Sequence, residues 1–351
     1  MVSEENRILR GGLIGFGRMG ITHFSILNTH PQVKFTSVCD SSRQMLKIVR
    51  KQLGLETFDD YQTMLERSQL DFVIISTPTG QHAQQVKDSI RRGLPVFVEK
   101  PFTLNQRQGQ EVLELLGAKP VVNQVGYVNR YNDIFAFTRE LVQRGELGEL
   151  LSFRMEMHSP TVLKGGSSGW REKRSEGGGC LYDMASHGID LINFIVGLPD
   201  KVSGSVMRSI YSRGVEDAVT TTFLYKNGLF GNLLVNWSDA SFRKPTYKFE
   251  VFGRSGKIIA DQHAMKVFFR DTPNRAGFHQ GWNVRYITDM AKPVRFYLRG
   301  YEFTNQLDSF IDQILIPGSP QRTSFTEAFQ TDRIIEMIVQ DTERGNLAWT
   351  A

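Results

Sequence analysis

At 351 residues the chain is long enough for two domains with sizeable cores, and its 40% hydrophobic and 23% charged content is that of an ordinary globular protein. The formal net charge of +5 is dispersed in short groups (Arg50-Lys51, Arg91-Arg92, and Arg171 with Lys173 and Arg174) and forms no basic stripe with interleaved aromatics, which argues against a nucleic-acid partner. No apolar run is long enough to cross a bilayer, Met1–Arg10 has no signal-peptide core, and the two cysteines, Cys39 and Cys180, form neither a disulfide framework nor a CxxC pair; the expectation is a cytoplasmic protein with no membrane partner.

In chain order, apolar runs alternate with amphipathic stretches over the first 125 residues. Strands are predicted at Ile8–Gly15, Lys34–Asp40, Phe72–Ser76, Pro95–Val98 and Pro120–Val125, with helices near Met19–Asn28, Arg43–Leu53, Tyr61–Glu66, Gln81–Arg92 and Asn105–Leu116. Short β-rich runs separated by helices imply a doubly wound parallel sheet, and the unbroken Phe72-Val73-Ile74-Ile75 suits a strand covered on both faces. The pattern changes after Gly126. A helix over Tyr131–Arg144 and a strand over Leu150–Met157 precede a glycine-rich loop, Gly165–Gly179, and a helix over Leu181–Val196. Strands without intervening helices follow at Val202–Ile210, Ala218–Tyr225, Leu229–Trp237, Tyr247–Phe252 and Lys257–Ala260, with a hairpin turn at Lys226-Asn227-Gly228. Helices over Tyr301–Ile316 and Phe325–Arg344 close the chain. The prediction is an α/β protein: an N-terminal Rossmann-type doubly wound domain over residues 1–125, and over residues 126–351 an α+β domain with a largely antiparallel sheet, which the family resemblance given below makes an open sheet that binds substrate and forms oligomer contacts.

Gly15-Phe16-Gly17-Arg18-Met19-Gly20 follows the first strand directly and opens a helix, which is the context dinucleotide binding requires. Gly15 makes the turn, Gly17 admits the pyrophosphate to the backbone, Gly20 lets helix pack on strand, and the helix N-terminus offers N–H groups to phosphate. Asp40 ends the second strand twenty residues after Gly20. A carboxylate there accepts the adenosine ribose hydroxyls and repels a 2′-phosphate, so NAD is expected. Ser41, Ser42 and Arg43 can cradle a 2′-phosphate if Asp40 turns away, which leaves NADP open.

Further along, Ser76-Thr77-Pro78-Thr79 closes one strand, with His82 opening the next helix, and Glu99-Lys100-Pro101 closes another. Gly126-Tyr127-Val128-Asn129-Arg130-Tyr131 follows the last Rossmann strand. Gly177-Gly178-Gly179-Cys180-Leu181-Tyr182-Asp183-Met184-Ala185-Ser186-His187-Gly188-Ile189-Asp190-Leu191 opens the second-domain helix. Together these resemble the glucose–fructose oxidoreductase, inositol dehydrogenase and rhizopine catabolism family, Gfo/Idh/MocA, over nearly the whole chain. The resemblance implies an NAD(P)-dependent dehydrogenase or reductase acting on CH–OH groups. Its substrate would be a sugar, cyclitol or nucleotide-linked sugar, and it would work as a homodimer or homotetramer joined through the open sheet. It places Lys100 beside the nicotinamide and the reacting oxygen, and Asp183 and His187 at the hydroxyl proton. It makes Asp190, Arg130 and His158 substrate ligands, and it brings Thr77, Pro78, His82, Glu99, Trp170 and Arg171 to the cofactor.

The chemistry suits these residue types. Oxidising a secondary alcohol needs a proton acceptor that titrates near neutrality, which histidine supplies, and a fixed cation beside the oxygen, which lysine supplies. Asp183 and His187 stand four apart and share a helix face. A metal site is not expected, since no other His, Cys or Glu cluster has ligand spacing. Other readings on the same scaffold are a non-catalytic cofactor- or sugar-sensing regulator, an NAD-dependent glycosidase and an aldose–ketose oxidoreductase.

Overall fold

A computed structural model describes residues 7–163, 169–273, 275 and 277–349 and divides the chain into two units, Met1–Val128 with Pro293–Phe329, and Asn129–Lys292 with Gln330–Ala351. In the first unit the elements run β1 (Leu9–Ile14), α1 (Arg18–Leu27), β2 (Val33–Cys39), α2 (Arg43–Leu53), β3 (Glu56–Phe58), α3 (Tyr61–Arg67), β4 (Phe72–Ile75), α4 (His82–Arg91), β5 (Val96–Val98), α5 (Gln106–Ala118) and β6 (Asn123–Val125). All six strands are parallel, in the order β3-β2-β1-β4-β5-β6. Strand order reverses between β1 and β4, and in open α/β sheets ligands bind beyond the strand ends at such a point. Alternation along β4 explains its unbroken apolar run. Phe72 and Ile74 enter one core cluster, with Leu13, Val38 and Phe97, while Val73 and Ile75 enter the other, with Ile14, Val96 and Val98.

The second unit contains α6 (Asp133–Gln143), β7 (Leu150–His158), α7 (Ser186–Ile195), β8 (Lys201–Arg208), β9 (Ala218–Leu224), β10 (Phe230–Asn236), β11 (Lys248–Gly253), β12 (Gly256–Ala260), β13 (Ala264–Phe269), β14 (Gly281–Tyr286) and α8 (Ile287–Met290). Its eight-stranded sheet has the order β14-β13-β12-β11-β7-β10-β9-β8 and is antiparallel except between β7 and β10. Burial alternates along β9, β10 and β11, so one face of the sheet joins the core under α6 and α7 and the other faces outward. The predicted hairpin is present: Gly228 takes φ +86° and Phe230 pairs with Leu224.

Several sequence expectations change. The strands β3, β13 and β14 were not predicted. The second domain does not run unbroken from residue 126 to 351. The helix α9 (Tyr301–Leu315) belongs to the first unit, where Leu307, Phe310 and Ile311 pack with Phe72 and Phe97 against the Rossmann sheet. The last helix, α10 (Phe325–Trp349), gives its first turn to the first unit, with Phe325 against Phe102, and the remainder to the second. The physical reason is plain in α9: its apolar stripe buries against a parallel sheet that needs cover on both faces. The loop expected over Gly165–Gly179 lies partly outside the described residues. Among the described residues no helix is long and apolar enough to cross a membrane.

Candidate active site

The loop between β1 and α1 is shaped by two different demands on its glycines. Gly15 has φ +88°, and a Cβ there would lie 2.9 Å from the Ser76 carbonyl; a Cβ on Gly20 would collide with the Gly15 carbonyl oxygen. Those two are required by the fold. A Cβ on Gly17 would meet nothing within 4 Å among the described residues, so none of them calls for a glycine there. The first turn of α1, which Gly17 caps through its backbone, has no side-chain cap and no acidic residue. Arg18 is exposed and Met19 half-buried. Phe16 differs from expectation: its ring is buried edge-on against Phe24, and its N–H donates to Asp40 Oδ2 at 2.6 Å. The other Asp40 oxygen accepts from Ser42 N–H at 2.7 Å. The carboxylate is thereby fixed at the strand end, and each oxygen keeps a further lone pair. Ser41 and Arg43 are exposed beside it. An open, uncapped turn and a fixed neighbouring carboxylate fit the pyrophosphate and ribose of a dinucleotide.

In the sheet the end of β4 lies next to this loop, and the end of β5 comes one strand further on. Thr77 Oγ1 donates to Gln85 Oε1 at 2.7 Å, and Pro78 leads into a short 3-10 turn. His82, expected at the cofactor, is 1% exposed and has no surface to offer a solute. Its Nδ1 faces the Pro101 carbonyl at 3.0 Å and its Nε2 the Thr77 carbonyl at 2.9 Å, so it braces the β4 and β5 loops together. Burial pushes its pKa down. Glu99 is buried and Lys100 half-buried, and the Lys100–Pro101 peptide is cis. Sequence reasoning missed His23 of α1, wholly buried, whose Nε2 lies 2.6 Å from Glu99 Oε1.

In the second unit the glycine triplet is packed against its own loop. A Cβ on Gly178 would strike the Trp170 and Arg171 carbonyls, and one on Gly179 the Glu216 carboxylate. Glu216, also missed, accepts from Leu181 N–H at 2.9 Å and Arg174 Nη2 at 2.9 Å, pinning the start of the following helix. Burial raises its pKa. That helix is not uniform: Leu181–Ala185 form a π turn, in which Ser186 N–H returns to the Leu181 carbonyl, and α7 continues from there. Asp183 sits on the π turn and His187 in the first turn of α7, both half-buried. Asp183 Oδ2 accepts from Arg171 Nε at 2.9 Å, and Arg171 in turn lies over the Trp170 ring at 4.6 Å. The His187 ring stands edge-on to Tyr247 at 6.0 Å. Immediately behind it Gly188 lets α7 approach Met157 and Leu233 of the sheet.

Arg130 and Asp190, expected to face substrate, face each other instead. Arg130 Nε and Nη2 reach Asp190 at 2.9 and 2.7 Å, with the two side chains 5% and 1% exposed, and Arg130 covers the Phe194 ring. A carboxylate this buried is held by its guanidinium and presents no surface to a ligand. His158, at the end of β7, stacks on Phe242 with ring centroids 4.8 Å apart and lies 3.4 Å from Asp239. It is half-buried and keeps some surface.

Residues 9–127 match the family model described as an oxidoreductase family with an NAD-binding Rossmann fold, and residues 135–259 match the GFO/IDH/MocA C-terminal domain. The chain is 27% identical over 264 residues to the scyllo-inositol 2-dehydrogenase (NAD(+)) of Bacillus subtilis (strain 168), an alignment covering 72% of this chain and 73% of that one. It is 25% identical to the myo-inositol 2-dehydrogenase of Thermotoga maritima, over 72% of this chain and 75% of that one. Among solved structures, levoglucosan dehydrogenase in complex with NADH and levoglucosan matches with a TM-score of 0.83, covering 96% of this chain and 98% of that one; at 21% identity this is a likeness of fold. With both family models matched in succession, the chain belongs to the Gfo/Idh/MocA oxidoreductase family, and its first unit is an NAD-binding Rossmann domain.

Proposed function

We propose that this oxidoreductase oxidises a secondary hydroxyl of a free cyclitol or sugar to the ketone, with nucleotide-linked sugars as the wider class. The observation that carries the reading is the pairing of an open phosphate turn at Gly17 with a lysine anchored at the end of β5 in the same sheet. NAD, when bound, supplies the hydride acceptor. Lys100 donates to the reacting oxygen and stabilises its developing negative charge. His187 accepts the hydroxyl proton, and Asp183, held by Arg171, is the carboxylate that favours the imidazolium formed. His158 is the remaining substrate ligand with surface to offer. Asp40, fixed by two backbone N–H groups, opposes a 2′-phosphate and favours NAD over NADP.

We also propose that the outward sheet face of the second unit forms the contact of a homodimer or homotetramer. Phe230, Leu234, Phe252, Trp282, Val284 and Tyr286 on its strands are each 37–55% exposed, an apolar patch of the kind that marks an interface.

The test is a panel of free polyols, aldoses and nucleotide sugars read by NADH absorbance, repeated with His187→Ala. Turnover of a polyol, falling about 10²- to 10⁴-fold in the variant, is the expected result. A protein that binds NADH but turns over nothing on the panel would be a cofactor-sensing regulator.

A further inference from the structure

His23 is the one buried titratable side chain of α1, the helix that follows the phosphate turn, and its ring packs against β5. Its ring is fully buried and stands edge-on to Phe97 at 5.0 Å. Nε2 lies 2.6 Å from Glu99 Oε1, and Nδ1 has no hydrogen-bond partner among the described residues. The tautomer that fits carries its proton on Nε2 and donates it to the carboxylate. The second Glu99 oxygen accepts from the backbone N–H of Lys100 at 3.2 Å. Glu99 N–H itself donates to the Ile75 carbonyl, so its backbone continues the ladder while its side chain turns inward. Room for that side chain comes from Gly126, where a Cβ would stand 3.0–3.1 Å from all three carboxyl atoms. Three chain segments are thus shaped around one carboxylate.

We propose that His23 is a positioning residue for Lys100: it fixes the Glu99 carboxylate, which fixes the backbone on which Lys100 stands. This rests on the reading of Lys100 as the group beside the reacting oxygen. Stability alone does not call for the arrangement. A buried polar pair replaced by apolar residues of similar volume is often neutral or stabilising, whereas a pair with directional hydrogen bonds selects one backbone geometry. His23 is also three residues beyond Gly20, so the helix that receives the phosphates is the one that holds the lysine strap. A binding step and a chemical group are referred to one rigid element.

Two variants separate positioning from bulk. His23→Leu keeps the volume and removes the donor; His23→Gln keeps a donor near the Nε2 position. Hydrogen exchange on the cofactor-free protein needs no substrate. In His23→Leu the peptide spanning residues 98–103 should exchange about tenfold faster while peptides from β9 and β10 are unchanged, because opening is local. On an accepted polyol, kcat should fall about 10- to 100-fold, the scale of a misplaced group, with KM and NADH affinity within about threefold of wild type. His23→Gln should recover most of both. Wild-type exchange and kcat in His23→Leu would overturn the proposal, as would equal damage in both variants with exchange raised throughout the protein. Lys100→Met separates this from the reading beneath it. If Lys100→Met turns over normally, the assignment of Lys100 fails and the proposal with it. If Lys100→Met is inactive and His23→Leu is not, the proposal alone fails.

Discussion

Replacing Gly17 by alanine should leave the fold intact and weaken the cofactor, and the structure sets both magnitudes. Gly17 has φ −76° and ψ −164°, a conformation any residue adopts, and a methyl there meets no atom of the described residues within 4 Å. Removing a glycine at a compatible position typically stabilises a protein by about 0.4–1 kcal/mol through the unfolded chain. Thermal unfolding without ligand should therefore be unchanged or slightly raised. The space the methyl enters is where a pyrophosphate would approach the backbone. Overpacking of this kind costs about 1–3 kcal/mol, which is about 5- to 150-fold in Kd. At an NADH concentration of about 100 times the wild-type Kd, wild type should gain about 2.7 kcal/mol of stability and a variant weakened 50-fold only about 0.6. Fluorescence titration with NADH and unfolding with and without it give both numbers. Gly20→Ala is the contrast, since its methyl would strike the Gly15 carbonyl and should lower stability before any ligand is added. If Gly17→Ala binds NADH as wild type does, or loses ligand-free stability as Gly20→Ala does, the division of the loop into fold-required and ligand-required glycines is wrong.

Arg130→Met should destabilise by about 3–5 kcal/mol in urea, because it strands the buried Asp190 carboxylate, and Arg130→Met with Asp190→Leu should recover most of that loss. Cys39 is pushed up to about 12 by burial and by Asp60, Asp40 and Asp59, and burial raises Cys180 well above the ordinary thiol value, so neither thiol should react with a disulfide reagent at pH 8 until the protein is unfolded. Burial works to raise the Asp217 pKa, but hydrogen bonds from Ser212, Trp237 and Tyr211 outweigh it and hold the carboxyl below its ordinary value. A lowered folded-state pKa contributes stability above the unfolded value near about 3.9 and loses it as pH falls through the folded one. Asp217→Asn should accordingly lose about 2 kcal/mol or more at neutral pH and show a flatter acid limb in stability measured from pH 6 to pH 2; an acid limb as steep as wild type would exclude Asp217 as its source.

How much of this was legible depended on whether a feature is local. The Rossmann half was readable because its signals are consecutive: an apolar run, a glycine turn and an amphipathic helix, repeated. The strands β13 and β14 escaped because Ala264–Phe269 and Gly281–Tyr286 alternate only partly and are joined by a long charged connection. The π turn at Leu181–Ala185 has the apolar spacing of an ordinary helix, and only the backbone shows the i to i−5 bond. The return of α9 to the Rossmann sheet was beyond reach for another reason. Its stripe of Leu307, Phe310 and Ile311 says that one face is buried, and says nothing of what covers it.

The same limit governs the site. A motif fixes which residues stand at strand ends and helix starts, and there the prediction was specific: the glycine loop, Asp40, Lys100, Asp183 and His187 occupy such places. It does not say which polar side chain satisfies which. The family resemblance makes Asp190 and Arg130 substrate ligands, on the strength of their places in two motifs. Sixty residues apart in sequence, they turn out to satisfy each other. The same resemblance brings His82 to the cofactor, yet its ring faces two carbonyls. His23 shows the converse, since it looks like one more residue of an amphipathic helix until Glu99 is found beside it. Burying a polar group without a partner costs more than most single contacts contribute. A polar residue in an apolar stretch therefore announces a partner that periodicity cannot name. Finding the partner decides whether the residue meets a ligand or holds the one that does.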